Sequence, residues 1–298
     1  MKKILVSLKI ILILFFIKSS FASTFNWPVD NPNFTSHFGE SRGDHWHSGI
    51  DVISGTRYEL KAPAEGEVIY YYDEASFPMS DNFGMGNYIV LQHKNNLATL
   101  HYHLEAGSII KNKTKIKSDD IIATMGNSGR SSGRHLHMSV YNTDDGRIFN
   151  PIDYFPQVED KKKAVITKIL LKGPMSSAVN VLKSRRIRRK SFYRIIIAFN
   201  DVREGPSYLK APVAARKVEL YIDDKLVRTI SFDYLKVVNN TYCLNENPDM
   251  AFERVYFGRE YHVDMVGFKQ TLDKHEFRVL VTDNGGNTTE KKVRVSFY

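Results

Sequence analysis

The strongest constraint on the fold is a period of two. Across residues 87–93, Tyr88, Val90 and Gln92 alternate with Ile89, Leu91 and His93. The polar stretch Lys94-Asn95-Asn96 follows, and a second run covers residues 97–103. Alternation of this kind marks half-buried strands, and two such runs around a short polar turn read as a hairpin. Further strands are expected at 67–72 after Ala64-Glu65-Gly66, at 121–125 before Gly126-Asn127-Ser128-Gly129, and at 136–141 before Asp144-Asp145-Gly146. No stretch carries a convincing helical period. Residues 23–158 are therefore expected to form an antiparallel β domain.

A chain of 298 residues suits two domains. Pro156 and the run Lys161-Lys162-Lys163 bracket a boundary. Beyond it, short apolar strands recur at 164–171 and 194–199, with hairpins expected around Asp223-Asp224-Lys225 and Asp283-Asn284-Gly285-Gly286-Asn287. Residues 159–298 thus read as a second β-sandwich, immunoglobulin-like in outline, and the whole chain as all-β. Its histidines, His262 and His275, are isolated, and nothing in this half looks catalytic.

The first 22 residues have a basic start, an apolar core at 10–17 and Ser20-Phe21-Ala22. That is the layout of a cleaved signal peptide, so the mature chain is expected in the periplasm or cell envelope without a membrane span. Lys and Arg number 42 against 33 Asp and Glu, a formal +9, of which Lys2, Lys3, Lys9 and Lys18 belong to the leader. The residual basic excess is mild and fits solubility; a nucleic-acid partner is not expected. The single cysteine, Cys243, excludes an intrachain disulfide.

Chemistry concentrates in short histidine motifs. In a strand, residues two apart share a face, so His135 and His137 project together with Leu136 turned away. In His47-Ser48-Gly49-Ile50-Asp51 an offset of four places an imidazole and a carboxylate on one face, with Gly49 leaving room between them. Such a donor set suits Zn²⁺, and His137 as third ligand leaves one position for water. His103 and His135 would then stand close by, free to divide proton transfer and oxyanion stabilisation. By alternation His101 is expected on the face of His103. His37 and His45 are alternative ligands that lack spaced partners and read as loop residues, and His93 reads as structural.

The blocks Phe34-Thr35-Ser36-His37-Phe38-Gly39-Glu40-Ser41-Arg42, His47-Ser48-Gly49-Ile50-Asp51, Ala62-Pro63-Ala64-Glu65-Gly66-Glu67-Val68, Gly86-Asn87-Tyr88-Ile89-Val90-Leu91, His103-Leu104, Gly126-Asn127-Ser128-Gly129 and His135-Leu136-His137 occur in order. With Asn150-Pro151-Ile152-Asp153-Tyr154 they resemble the lysostaphin-type, or LytM-like, zinc metalloendopeptidases over roughly residues 34–154. The resemblance implies a β-rich fold, one Zn²⁺ on His47, Asp51 and His137, catalytic histidines His103 and His135, and hydrolysis of peptide bonds in peptidoglycan. Two features depart from that family: His101 stands where an aromatic is usual, and the insert 73–83 is long. Some relatives lack ligands and regulate other wall hydrolases, and an exported protein is an alternative substrate. The resemblance does not reach residues 159–298, where a protein partner has room to bind.

Overall fold

The computed structural model describes residues 25–55, 57–77, 84–201, 214–256 and 262–298. The expected signal peptide lies outside these residues, as do positions 78–83 of the insert. The first half carries β1 (Asn33–Ser36), β2 (Ile50–Ile53), β3 (Glu59–Lys61), β4 (Gly66–Tyr72), β5 (Asn87–Gln92), β6 (Leu97–Leu104), β7 (Lys115–Ile116), β8 (Ile121–Thr124), β9 (Leu136–Asn142) and β10 (Ile148–Phe149). The second half carries β11 (Val165–Lys172), β12 (Val179–Asn180), β13 (Arg186–Ile187), β14 (Tyr193–Asn200), β15 (Lys217–Ile222), β16 (Lys225–Ser231), β17 (Tyr234–Val238), β18 (Thr241–Leu244), β19 (His262–Phe268), β20 (Lys274–Thr282) and β21 (Thr288–Phe297). Among the described residues the longest α-helix is one turn, Phe252–Val255. The all-β expectation holds.

Strand β9 organises the first half. One edge pairs with β6, and the other pairs with β2 and then β10. Leu136, Met138 and Val140 point into the core, where Ile50, Ile89, Leu91 and Leu104 are fully buried. The alternate side chains, starting with His137, therefore face out of that core. Register sets His137 opposite both Asp51 on β2 and Tyr102 on β6. Three hairpins turn on pairs of left-handed residues: Asn95-Asn96, Asp223-Asp224 and Asn239-Asn240. Asn and Asp tolerate that conformation, and two in succession match the twist of the flanking strands.

In the second half, sheet β12-β11-β14-β19 faces sheet β13-β21-β20-β15-β16. Ile169, Leu171, Ile195 and Ile197 from one sheet share a buried cluster with Val218, Leu220, Val279 and Val295 from the other. The sandwich is thus a packed double layer. One hairpin departs from it. Strand β17 pairs with β10, matching Ile148 to Leu235 and Phe149 to Tyr234, and β18 pairs with β17. Two strands from beyond residue 230 therefore extend the sheet of the first half. In the insert, Asp73 is buried, and its carboxylate accepts hydrogen bonds from the backbone of Ala75 (3.1 Å) and Gly107 (2.9 Å).

The expectation that His101 shares a face with His103 is corrected. His101 is fully buried, with Nε2 3.1 Å from the Thr99 hydroxyl, which also lies 2.8 Å from His93 Nε2. Tyr102 takes the outer face instead, its ring centroid 5.1 Å from that of His137. His103 then adopts φ +62°, which breaks the alternation at the strand's end and brings its imidazole round beside Tyr102.

Burial drives the His101 imidazole down to about 3 from 6.5, with the nearby His93 charge adding to the effect. A depressed basic group contributes stability that is present above its unfolded value and is lost as pH falls toward its folded one. His101 is expected to keep neutral-form NMR shifts at pH 5, and stability to decline as the pH drops below 6.5. A His101 titration midpoint near its unfolded value would contradict this burial argument.

Candidate functional site

Three donor atoms converge where β2 meets β9. His47 Nε2 lies 3.0 Å from Asp51 Oδ1 and 2.9 Å from His137 Nδ1, and His137 Nδ1 lies 2.9 Å from Asp51 Oδ1. The outer atoms of these side chains are all engaged. His47 Nδ1 donates to the carbonyl of His37 at 2.7 Å, which leaves Nε2 as a bare lone pair. His137 Nε2 faces the Ser139 hydroxyl at 3.3 Å, and Asp51 Oδ2 accepts from Arg42 Nη2 at 2.7 Å. Lone pairs facing one another at about 3 Å repel unless a proton or a cation lies among them. The donor set therefore fits a metal ion, with partners on the far side of each ligand as metal sites require.

Electrostatics keeps the carboxylate charged. Burial pushes the Asp51 carboxyl up, but His47 and His137 outweigh it and hold the group well below the ordinary carboxylate range. Burial lowers His137 to about 4, against the opposing pull of Asp51. The carboxylate is thus charged and His137 neutral at neutral pH, the forms that bind metal.

Gly49 permits this geometry. A Cβ there would stand 2.4 Å from the Met138 carbonyl oxygen and 2.7 Å from His137 Nε2. Its missing side chain gives space to β9 as well as to the interior of the site.

A second imidazole pair stands beside the first. The rings of His103 and His135 have centroids 4.8 Å apart, and His135 Nε2 is 3.7 Å from Asp51 Oδ1. His103 Nδ1 donates to the Ser128 carbonyl at 2.9 Å, and His135 Nδ1 to the Gly133 carbonyl at 2.8 Å. Both Nε2 atoms are left available. Burial lowers His103 to about 4, so that ring is a neutral acceptor at pH 7. The loop Gly126-Asn127-Ser128-Gly129 supports it: Ser128 Oγ donates to the Leu104 carbonyl (2.7 Å) and accepts from the Asn87 backbone (2.9 Å). Gly129 (φ +70°) and Gly86 (φ +68°) let the neighbouring backbones close to within Cβ-excluding distance.

An open cleft of about 560 Å³ exposes both pairs, with Arg42, Trp46 and Tyr102 in its walls. All five residues singled out from the sequence lie together. His45 is on the rim, paired with Asp44 at 2.5 Å. His37 lies in the loop after β1, as expected, but it is buried there with its ring stacked on Phe34 at 5.3 Å and stands outside the cleft. Arg42 and Tyr102 escaped sequence reasoning. The partner of Arg42 in the site, Asp51, comes from the next strand, and Tyr102 was hidden between two histidines.

The model of Peptidase family M23 matches residues 45–151, and a second family model, which carries no description, spans 163–298. Over 135 residues the chain is 30% identical to the murein hydrolase activator NlpD of Escherichia coli, covering 45% of this chain and 32% of that protein. It is 28% identical over 106 residues to the DD-carboxypeptidase/endopeptidase Mpg of Neisseria meningitidis serogroup B, covering 36% and 22% respectively. The chain thus spans less than a third of the length of these curated relatives. The catalytic domain of the antimicrobial peptidase lysostaphin from Staphylococcus simulans aligns at 21% identity over 41% of this chain and 90% of that one, with a TM-score of 0.34. A zinc containing peptidase from Vibrio cholerae aligns at 28% identity over 39% and 36%, with a TM-score of 0.33.

Gly49→Ala tests the close approach. It is expected to lower unfolding free energy by about 1–3 kcal/mol, the usual cost of overpacking, in urea titrations. Unchanged stability would mean that β9 yields without strain.

Proposed function

We propose, from the match of residues 45–151 to the model of Peptidase family M23, that the mature chain is an exported zinc endopeptidase that hydrolyses peptide bonds in peptidoglycan. The observation that carries this reading is the meeting of His47, Asp51 and His137 with the imidazoles of His103 and His135 at one cleft. In this proposal residues 23–158 form the peptidase unit and 159–298 an accessory unit. Residues 1–22 direct export, and the cell envelope is the site of action. Among the described residues no helix is long and apolar enough to cross a membrane.

His47 Nε2, Asp51 Oδ1 and His137 Nδ1 would hold the ion. A bound Zn²⁺ supplies positive charge that polarises a carbonyl and acidifies water. The attacking water must lose a proton and the departing nitrogen must gain one. His103, neutral by burial, suits the accepting role, and His135 Nε2, on the Asp51 side, is placed to hold a proton for return. Carbonyl contacts to both Nδ1 atoms keep each ring oriented so that its Nε2 serves the cleft. Arg42 neutralises the outer oxygen of Asp51 and limits that carboxylate to a single inward oxygen.

A regulatory reading draws on the likeness to murein hydrolase activators. The two readings part on turnover. Incubation with muropeptides and mass analysis of the products is expected to show peptide-bond cleavage. Intact muropeptides with a metal-loaded protein would favour regulation or an exported protein substrate. His137→Ala is expected to lose metal and turnover together. His103→Ala and His135→Ala are expected to retain stoichiometric metal while turnover falls by about 10²–10⁴-fold. Loss of metal from either of the latter two would overturn the division of roles.

A further inference from the structure

The segment between β1 and β2 delivers His47 and Arg42 to the site, and the second half of the chain holds it from behind. The segment folds back on itself, with Gly39 N donating to the His47 carbonyl and His47 N to the Glu40 carbonyl, both at 2.8 Å. Its outer side enters the other core: Phe38 and Trp46 are buried in the hydrophobic cluster of the sandwich. The Trp46 ring packs edge-on to Phe252 at 5.3 Å and against Tyr256 at 5.4 Å, and its Nε1 donates to the Tyr242 carbonyl at 3.0 Å. Tyr256 Oη donates to the Gly39 carbonyl at 2.6 Å. Gly39, at φ +80°, lies so close to Phe232 that a Cβ would come within 2.3 Å of that ring.

A polar chain continues this contact inward. The Ala214 backbone donates to Glu40 Oε1 at 3.1 Å, across 174 residues of sequence. Glu40 is buried; it also accepts from His37 N at 2.7 Å and from the Ser36 hydroxyl. Ser36 Oγ in turn accepts from Arg42 Nη2 at 2.8 Å and lies 3.3 Å from His47 Nδ1. The path from the sandwich to the outer atoms of two of the three converging residues is therefore continuous.

We propose that the C-terminal sandwich is a built-in brace of the metal centre, with Tyr256, Trp46 and Glu40 as positioning residues for His47 and Asp51. The inference rests on the metal-binding reading of the site. Partners behind a ligand fix its orientation, and losing one typically weakens metal binding by about 10–100-fold. Tyr256→Phe removes a single hydroxyl and keeps the ring that packs on Trp46. Trp46→Phe, as a second variant, removes the indole donor and keeps an aromatic filler.

The test uses the full chain. Zn²⁺ affinity is measured by competition with a chromophoric chelator, the Co²⁺ ligand-field spectrum is recorded, and thermal unfolding of the metal-free protein serves as the stability control. The expected result is a loss of affinity approaching about 10-fold in each variant, the low end of the cost of losing a partner bonded directly to a ligand, with a shifted Co²⁺ spectrum. The expectation includes a metal-free protein that remains folded at the measuring temperature. Affinity within twofold of the wild type, with an unaltered spectrum, would overturn the brace and leave the metal centre standing. Failure of the wild-type protein to take up either ion would overturn both.

Discussion

The first half of the chain is arranged around three donor atoms that face one another. An imidazole nitrogen of His47, one of His137 and an oxygen of Asp51 sit within 3.0 Å of each other. Two of these residues come from β2 or the turn before it, and the third from β9, so the arrangement depends on β2–β9 register. A slip of one residue would turn His137 into the core and Leu136 out of it. The apolar face of β9 prevents that slip, because Leu136, Met138 and Val140 are all fully buried. Hydrophobic patterning thus fixes the geometry of the site.

The polar support is layered in the same way. Each histidine near the cleft commits one nitrogen to a fixed partner. For His47, His103 and His135 that partner is a backbone carbonyl, which can only accept. The tautomers follow from the chain's own path and need no further titratable group. Their anchoring carbonyls belong to residues 37, 128 and 133, so the loops of the first half act as much on protonation as on shape.

Much of this was legible in the residues themselves. The period of two placed β5, β6 and β9, and the spacing of His47 to Asp51 and of His135 to His137 anticipated which side chains meet. What escaped was tertiary or conformational. Alternation put His101 beside His103 because it takes a regular strand for granted, and one left-handed residue undid the inference. Arg42 and Glu40 have partners supplied by the fold, from β2 and from Ala214. Strands β17 and β18 drew no strand expectation of their own and fell inside the region read as a sandwich. Nothing local says that Leu235 pairs with Ile148 across the boundary.

That pairing bears on how the protein can be divided. The chain leaves the first sheet after β10, builds much of the sandwich, returns to the first sheet as β17 and β18, and departs again. A fragment ending near residue 158 would strip the cover from β10, leaving open backbone donors and acceptors along a sheet edge, and would bare Phe38 and Trp46. Open edges and uncovered aromatic rings invite self-association. The boundary read from sequence is therefore a poor place to cut, and the insolubility of such a fragment would reflect a missing seam rather than an unstable peptidase fold.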